Sequence, residues 1–168
     1  MQMSRVLPFI ACVGLTLSSA GPVSARDGLA GPYLAARHAS FSNDYSAAAT
    51  YYTQALIGDP SNPLLMEYAI LSQVALGEVD RALPIATRLD GTGTVSQIGG
   101  LVILSDFGKR EEFVRISTEL DDGRSVGPLV EGLMRAWSLL GEGRMSDATT
   151  AFDAVADTQG LRGFALYL

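Results

Sequence analysis

The stretch NDYSAAATYYTQALIGDP at residues 43–60 decides the fold class of this chain. After Asp44, apolar and small residues recur three and four positions apart, which is the spacing of one face of an α-helix. An aspartate just before the first helical turn accepts hydrogen bonds from free backbone N–H groups, so Asp44 is predicted to cap this helix. Gly58 and Pro60 are expected to end it. The stretch therefore predicts a helix over 45–57.

The opening of this helix recurs three times farther along the chain. The copies place Ala82, Phe113 and Ala148 where the first one has Ala48, at intervals of 34, 31 and 35 residues. The copy at 108–113 is degenerate, because Phe113 replaces a small residue. An interval near 34 residues indicates a structural repeat built from one pair of helices per unit.

Turn and capping residues define the other predicted helices. Gly31-Pro32 and Asn62-Pro63 place a proline at the first helical position, where its missing N–H costs nothing. Pro84 lies near the start of its helix, so we expect a mild kink there and no break. The predicted helices span 31–42, 45–57, 63–76, 79–89, 94–107, 109–120, 127–140, 144–156 and 160–168.

The repeat resembles the tetratricopeptide repeat family over roughly residues 29–168. In the first unit, Ala48, Tyr52, Ala55 and Pro60 fall where the family has its small, aromatic, small and proline residues. The third unit departs most from the family pattern, because it carries Gly99-Gly100 in its first helix and Phe113 at the close-packed position.

The resemblance implies an all-α, right-handed superhelical solenoid of about four helix-turn-helix repeats plus a terminal half-repeat helix. The repeats would span 29–62, 63–93, 94–127 and 128–160, with a partial unit at 161–168. Each hairpin needs its neighbours to bury its apolar face, and small residues let the backbones approach. We therefore expect Ala48, Ala82 and Ala148 to lie between helices.

Residues 1–25 have the pattern of a cleaved secretory signal peptide. Arg5 supplies a positive charge, an apolar run follows, and Val23-Ser24-Ala25 is a small-residue cleavage site. An uncleaved membrane anchor is the main alternative, but Pro8 and Gly14 interrupt a run that is short for a bilayer. A mature chain of 26–168 is therefore expected to be exported to the periplasm or secreted, touching the membrane only through the signal peptide.

Composition argues against several classes of function. The chain has 12 Lys+Arg and 18 Asp+Glu residues, a net charge of −6, whereas a nucleic-acid binder needs a basic surface. One cysteine and one histidine exclude a disulfide framework and a conventional zinc site. His38 accompanies no recognisable nucleophile pattern. We therefore expect no enzyme activity, no catalytic residues, no cofactor and no metal.

Binding of another protein or peptide is the class of function that the composition leaves open. In the family that the chain resembles, the first helix of each unit lines a concave groove. The corresponding candidates in this chain are Tyr33, Arg37, Glu67, Leu71, Ile98, Val102, Leu133 and Trp137. Because Arg37 is the one basic residue among them, we expect no clamp for acidic C-termini. An apolar groove centred on Leu71, Val102 and Trp137 would suit a hydrophobic helix or strand.

Two functions fit this prediction. The first is a non-catalytic scaffold or adaptor in the bacterial cell envelope. The second is a regulatory or substrate-presenting module of an enzyme or larger protein, in which the apolar groove packs against sequence outside this chain. The mostly apolar segment 161–168 favours a chain that continues beyond Leu168.

Overall fold

The computed structural model describes residues 29–158 and Gly163. The predicted signal peptide and, apart from Gly163, the predicted helix at 160–168 lie outside this range. The described residues form eight α-helices and no β-strand. The helices are α1 (Ala30–Phe41), α2 (Tyr45–Gly58), α3 (Pro63–Ala75), α4 (Val79–Asp90), α5 (Gln97–Lys109), α6 (Phe113–Asp121), α7 (Pro128–Gly141) and α8 (Met145–Asp157).

Each helix packs against the next one along the chain, from α1 on α2 to α7 on α8, and α3 also contacts α5. The predicted all-α class is confirmed for the described residues. The helices form four consecutive hairpins. One hydrophobic core runs through the first three of them, and Val130 and Met134 of the fourth pack against it.

The same turn closes all four hairpins. Its central residue has a positive φ and is Asn43, Gly77, Glu111 or Gly143, at intervals of 34, 34 and 32 residues. The N–H of the following residue donates to the carbonyl five positions earlier, as from Asp44 to Ala39, at 2.9 Å in every case. This is the Schellman arrangement, which satisfies carbonyl groups left free at the end of the first helix.

The buried positions follow the same intervals. In the second helices, the residue four positions after the cap is Ala48, Ala82, Ile116 or Ala148, and all four are buried. The predicted burial of the three alanines is therefore confirmed. In the first helices, the corresponding series of fully buried residues is Ala36, Ile70, Leu104 and Ala136.

The register of the third hairpin differs from the prediction. Ile116, and not Phe113, occupies the close-packed position, and α6 begins at Phe113 instead of residue 109. Gly108, which falls between the predicted helices at 94–107 and 109–120, lies within α5. A Cβ at Gly108 would meet only Ile116, at an ordinary 3.8 Å, so its surroundings do not require glycine. The turn instead uses Glu111, which carries no turn signal in the sequence.

Several capping predictions are confirmed, and two boundaries shift. Asp44 accepts from the Ala47 N–H at 3.0 Å, and Asn62 caps α3 ahead of Pro63. Helix α5 begins three residues later than predicted, because the hydroxyl of Ser96 accepts from the Gly99 N–H and fixes the start there. Helix α1 begins at Ala30, which places Pro32 third in the helix, and α4 continues through Pro84 without a break.

The Glu111→Gly substitution is expected to raise the free energy of unfolding by about 1 kcal/mol. A glutamate at φ 59° is sterically strained by its Cβ, and glycine avoids this strain because it has no Cβ. Urea denaturation followed by circular dichroism measures the change. Gly143→Ala is the converse control, expected to lower stability by about 1 kcal/mol, because a Cβ there meets no atom within 4 Å and only the backbone is strained. A lower stability for Glu111→Gly would contradict this account.

Candidate functional site

The first two predicted groove residues belong to an aromatic cluster on α1 and α3. The guanidinium carbon of Arg37 lies 5.2 Å from the ring centre of Phe41, 5.8 Å from Tyr68 and 6.0 Å from Tyr33. Arg37 also donates to the Tyr33 hydroxyl at 3.4 Å. Among the described residues, no carboxylate pairs with Arg37. This cation is therefore held by aromatic faces and not by an ion pair.

The last two predicted groove residues, Leu133 and Trp137, lie in one depression, which we call the α6–α7 groove. Its volume is about 380 Å³, and one end reaches Gly108 of α5. Its walls are almost entirely apolar and consist of Phe113, Ile116, Val130, Leu133, Met134, Trp137 and Ser138.

Trp137 is the largest exposed side chain of this groove. It is 51% exposed, so it is a surface residue and not part of the core. Its ring meets that of Phe152 edge to face, with centres 5.3 Å apart and planes at 85°. This contact with α8 holds the indole in place at the groove, as a preformed anchor for a partner would require.

Two glycines bring α7 close to the helices on either side. A Cβ at Gly132 would collide with the side chain of Val155 on α8. A Cβ at Gly141 would collide with the ring of Phe113 on α6. These glycines therefore set the spacing of the helices around the α6–α7 groove. In the sequence, these residues appear as two glycines in an amphipathic helical segment. Glycines in such a segment often allow a close packing contact.

The middle candidates do not form one exposed apolar patch. Leu71 is 48% exposed, Glu67 is partly buried, and Ile98 is a partly buried residue packed against the core. Val102 is only 2% exposed and belongs to the core, so it cannot contact a partner in this conformation. The shifted register of the third hairpin explains this placement. The residue 34 positions after Leu71 is Ser105, which is exposed.

The loop between α6 and α7 is held by Glu131. Its Oε1 accepts hydrogen bonds from the Ser125 hydroxyl at 2.9 Å and from the N–H groups of Val126 and Gly127 at 2.8 and 3.0 Å. These bonds favour the charged carboxylate and hold the pKa of Glu131 below its usual value. The start of α7 is thereby fixed by a side chain within that helix.

Arg124 in the same loop joins three parts of the molecule. It is only 17% exposed and pairs with Asp90 at the end of α4 and with Glu119 on α6, both at 2.8 Å. Hydrogen bonds to these two carboxylates raise its pKa further above the usual range. The loop that leads into α7 is therefore tied to the second and third hairpins.

The described residues contain no group of three or more His, Cys, Asp or Glu side chains arranged to hold a metal ion. None of the helices in 29–158 has the length and apolar character needed to cross a membrane.

Comparisons with protein-family models, with curated proteins and with solved structures find no match to this chain.

The Glu131→Gln substitution is expected to destabilise the protein in a pH-dependent way. Because the pKa of Glu131 is lowered on folding, its stabilising effect is complete above the usual value of 4.5 and is lost as the pH falls through the folded value. The difference between the urea midpoints of wild type and variant, measured from pH 7 down to pH 3, should therefore shrink as the pH falls below 4.5. A constant difference over this range would contradict the prediction. Glu67→Gln, outside the loop, is the matched control.

Proposed function

We propose that this protein is a non-catalytic scaffold or adaptor that binds an apolar segment of another protein in the α6–α7 groove. The observation that carries the proposal is the half-exposed Trp137 held at the edge of an apolar depression of about 380 Å³. Aromatic anchors beside well-packed apolar pockets are typical of the residues that dominate binding energy in protein interfaces.

The chemistry of the groove favours a hydrophobic helix or strand as the bound segment. The polar groups of its lining side chains are the hydroxyl of Ser138, which is almost completely buried, and the indole N–H of Trp137. A partner would therefore gain affinity by burying apolar side chains against Leu133, Met134 and Trp137. The net charge of −6 makes nucleic acid an unsuitable partner.

We also propose that the hairpins form a right-handed tetratricopeptide-type solenoid. The support is the recurrence of one Schellman turn and one buried position at intervals of 34, 34 and 32 residues. Such intervals are typical of that repeat class. Within such an array, the α6–α7 groove lies where consecutive hairpins meet.

Partner binding is tested by crosslinking and affinity capture of the full-length exported protein. Trp137→Ala and Leu133→Glu should each reduce capture of the groove partner by about tenfold or more, which is the loss expected for an interface hot spot. Val114→Glu is the matched control, because Val114 is exposed on α6 but does not line the groove. Circular dichroism establishes that the variants are folded. Retention of every partner by both groove variants would refute the proposal.

Export is a separate proposal, supported by the pattern of residues 1–25. In a bacterial host, the protein should accumulate in the periplasmic fraction with Arg26 as its first residue. N-terminal sequencing and intact mass measure this. Ala25→Leu, which enlarges the residue at the cleavage site, should leave the precursor uncut. Recovery of uncleaved wild-type protein in the cytoplasm would contradict the proposal.

A further inference from the structure

Consecutive hairpins meet at a contact that we call a seam, where the second helix of one hairpin packs against the first helix of the next. At the first seam, Tyr52 lies nine positions after one turn residue and Tyr68 lies nine positions before the following turn residue. Their rings stack with centres 5.3 Å apart. The corresponding residues of the other two seams belong to the hydrophobic core or pack against it, and they are Ala86 with Val102 and Leu120 with Met134.

The third seam includes a second contact, at the positions two residues from the turns. Phe113 lies two positions after its turn residue, and Gly141 lies two positions before the next one. The ring of Phe113 packs so close to Gly141 that a Cβ on this glycine would collide with it. A seam of this kind therefore joins apolar groups at two levels along the helices.

Two ion pairs also cross the seams, and both have the same polarity. Lys109 of α5 pairs with Asp80 of α4 at 2.8 Å, and Arg135 of α7 pairs with Asp121 of α6 at 2.7 Å. In each pair the base lies on the first helix of the later hairpin and the acid on the second helix of the earlier one. Exposed pairs add little binding energy, but they favour one orientation of the two helices over others.

The first and last described helices expose the same seam positions at the two ends of the array. On α1, Leu34 and Phe41 lie nine and two positions before the first turn, and they are 66% and 77% exposed. We call this pair the α1 face. On α8, Phe152 and Met145 lie nine and two positions after the last turn, and Met145 is 64% exposed while Phe152 is partly exposed. We call this pair the α8 face.

The charges of the two end helices have the polarity of the internal seams. Helix α1 contains Arg37 and His38 and no acidic residue, whereas α8 contains three aspartates, Asp147, Asp153 and Asp157, and no basic residue. Two α1 faces in contact would bring arginines together, and two α8 faces would bring six carboxylates together. The charges therefore favour contact between unlike ends over contact between like ends.

We propose that the α1 face of one copy of this chain packs on the α8 face of a second copy, as a further seam of the same kind. Leu34 lies against Phe152 of the second copy, and Phe41 lies against Met145 of the second copy. Because the two faces differ, this contact is head to tail, and each added copy leaves one free face at either end. None of these four residues lines the α6–α7 groove, so the proposal does not depend on the groove partner.

Sedimentation velocity of the mature protein tests this assembly over about 1 μM to 1 mM, a range that detects weak and moderate association. The average mass of wild type should rise with concentration and pass that of a dimer. Leu34→Glu and Met145→Glu each place a carboxylate in the apolar contact, where it would lose water without gaining a partner. Each variant alone should associate about tenfold more weakly or worse.

A mixture of these two variants distinguishes head-to-tail contact from other modes of association. Leu34→Glu keeps an intact α8 face, and Met145→Glu keeps an intact α1 face. Equal amounts of the two should therefore form a dimer with the affinity of one wild-type contact. This dimer cannot grow further, because both of its outer faces carry the substituted glutamate.

Val114→Glu is the matched control, because it makes the same change in charge at an exposed residue of α6 outside both faces. It should assemble like wild type, and circular dichroism establishes that all variants are folded. Wild type that stays monomeric over the whole range would overturn the proposal, and the α8 face would then belong to residues 159–168 of the same chain or to another protein. Failure of the mixture to dimerise, or equal loss of assembly in Val114→Glu, would also overturn it.

Discussion

The close approach of neighbouring helices at one buried position per hairpin is the constraint on which the rest of this structure depends. Ala48 and Ala82 are fully buried at that position, and side chains this small allow two helix backbones to lie near each other. The Schellman turn that precedes each position fixes where the second helix begins. The turn and the buried position therefore recur together, because the buried residue lies four positions after the helix cap in every hairpin.

This constraint also determines which side chains reach the surface. A shift of three residues along a helix turns a side chain by about 300°, that is, 60° short of a full turn. In the third hairpin, the turn falls on Glu111 instead of Gly108, so Val102 enters the core and Ser105 faces solvent. The side chains that reach the surface of this array are thus defined by the register of each hairpin separately.

The α6–α7 groove arises from a local departure from regular packing. In the α6–α7 groove, Gly132 and Gly141 draw α7 toward α8 and α6, and Trp137 is held against Phe152 at the open side. The walls of this groove are therefore built almost entirely from apolar side chains of α6 and α7.

The sequence by itself determined the helical class, seven of the eight described helix positions to within a few residues, and the burial of Ala48, Ala82 and Ala148. Caps, prolines and glycines act locally, so their effect is readable from a short stretch. The sequence also indicated that Leu133 and Trp137 lie on the same helix face, because they are four residues apart on one helix. Only the tertiary structure decided that Glu111 takes the third turn and that Val102 is buried. These outcomes depend on which helices pack against each other, and contacts between residues distant in sequence leave no periodic signal in any one segment.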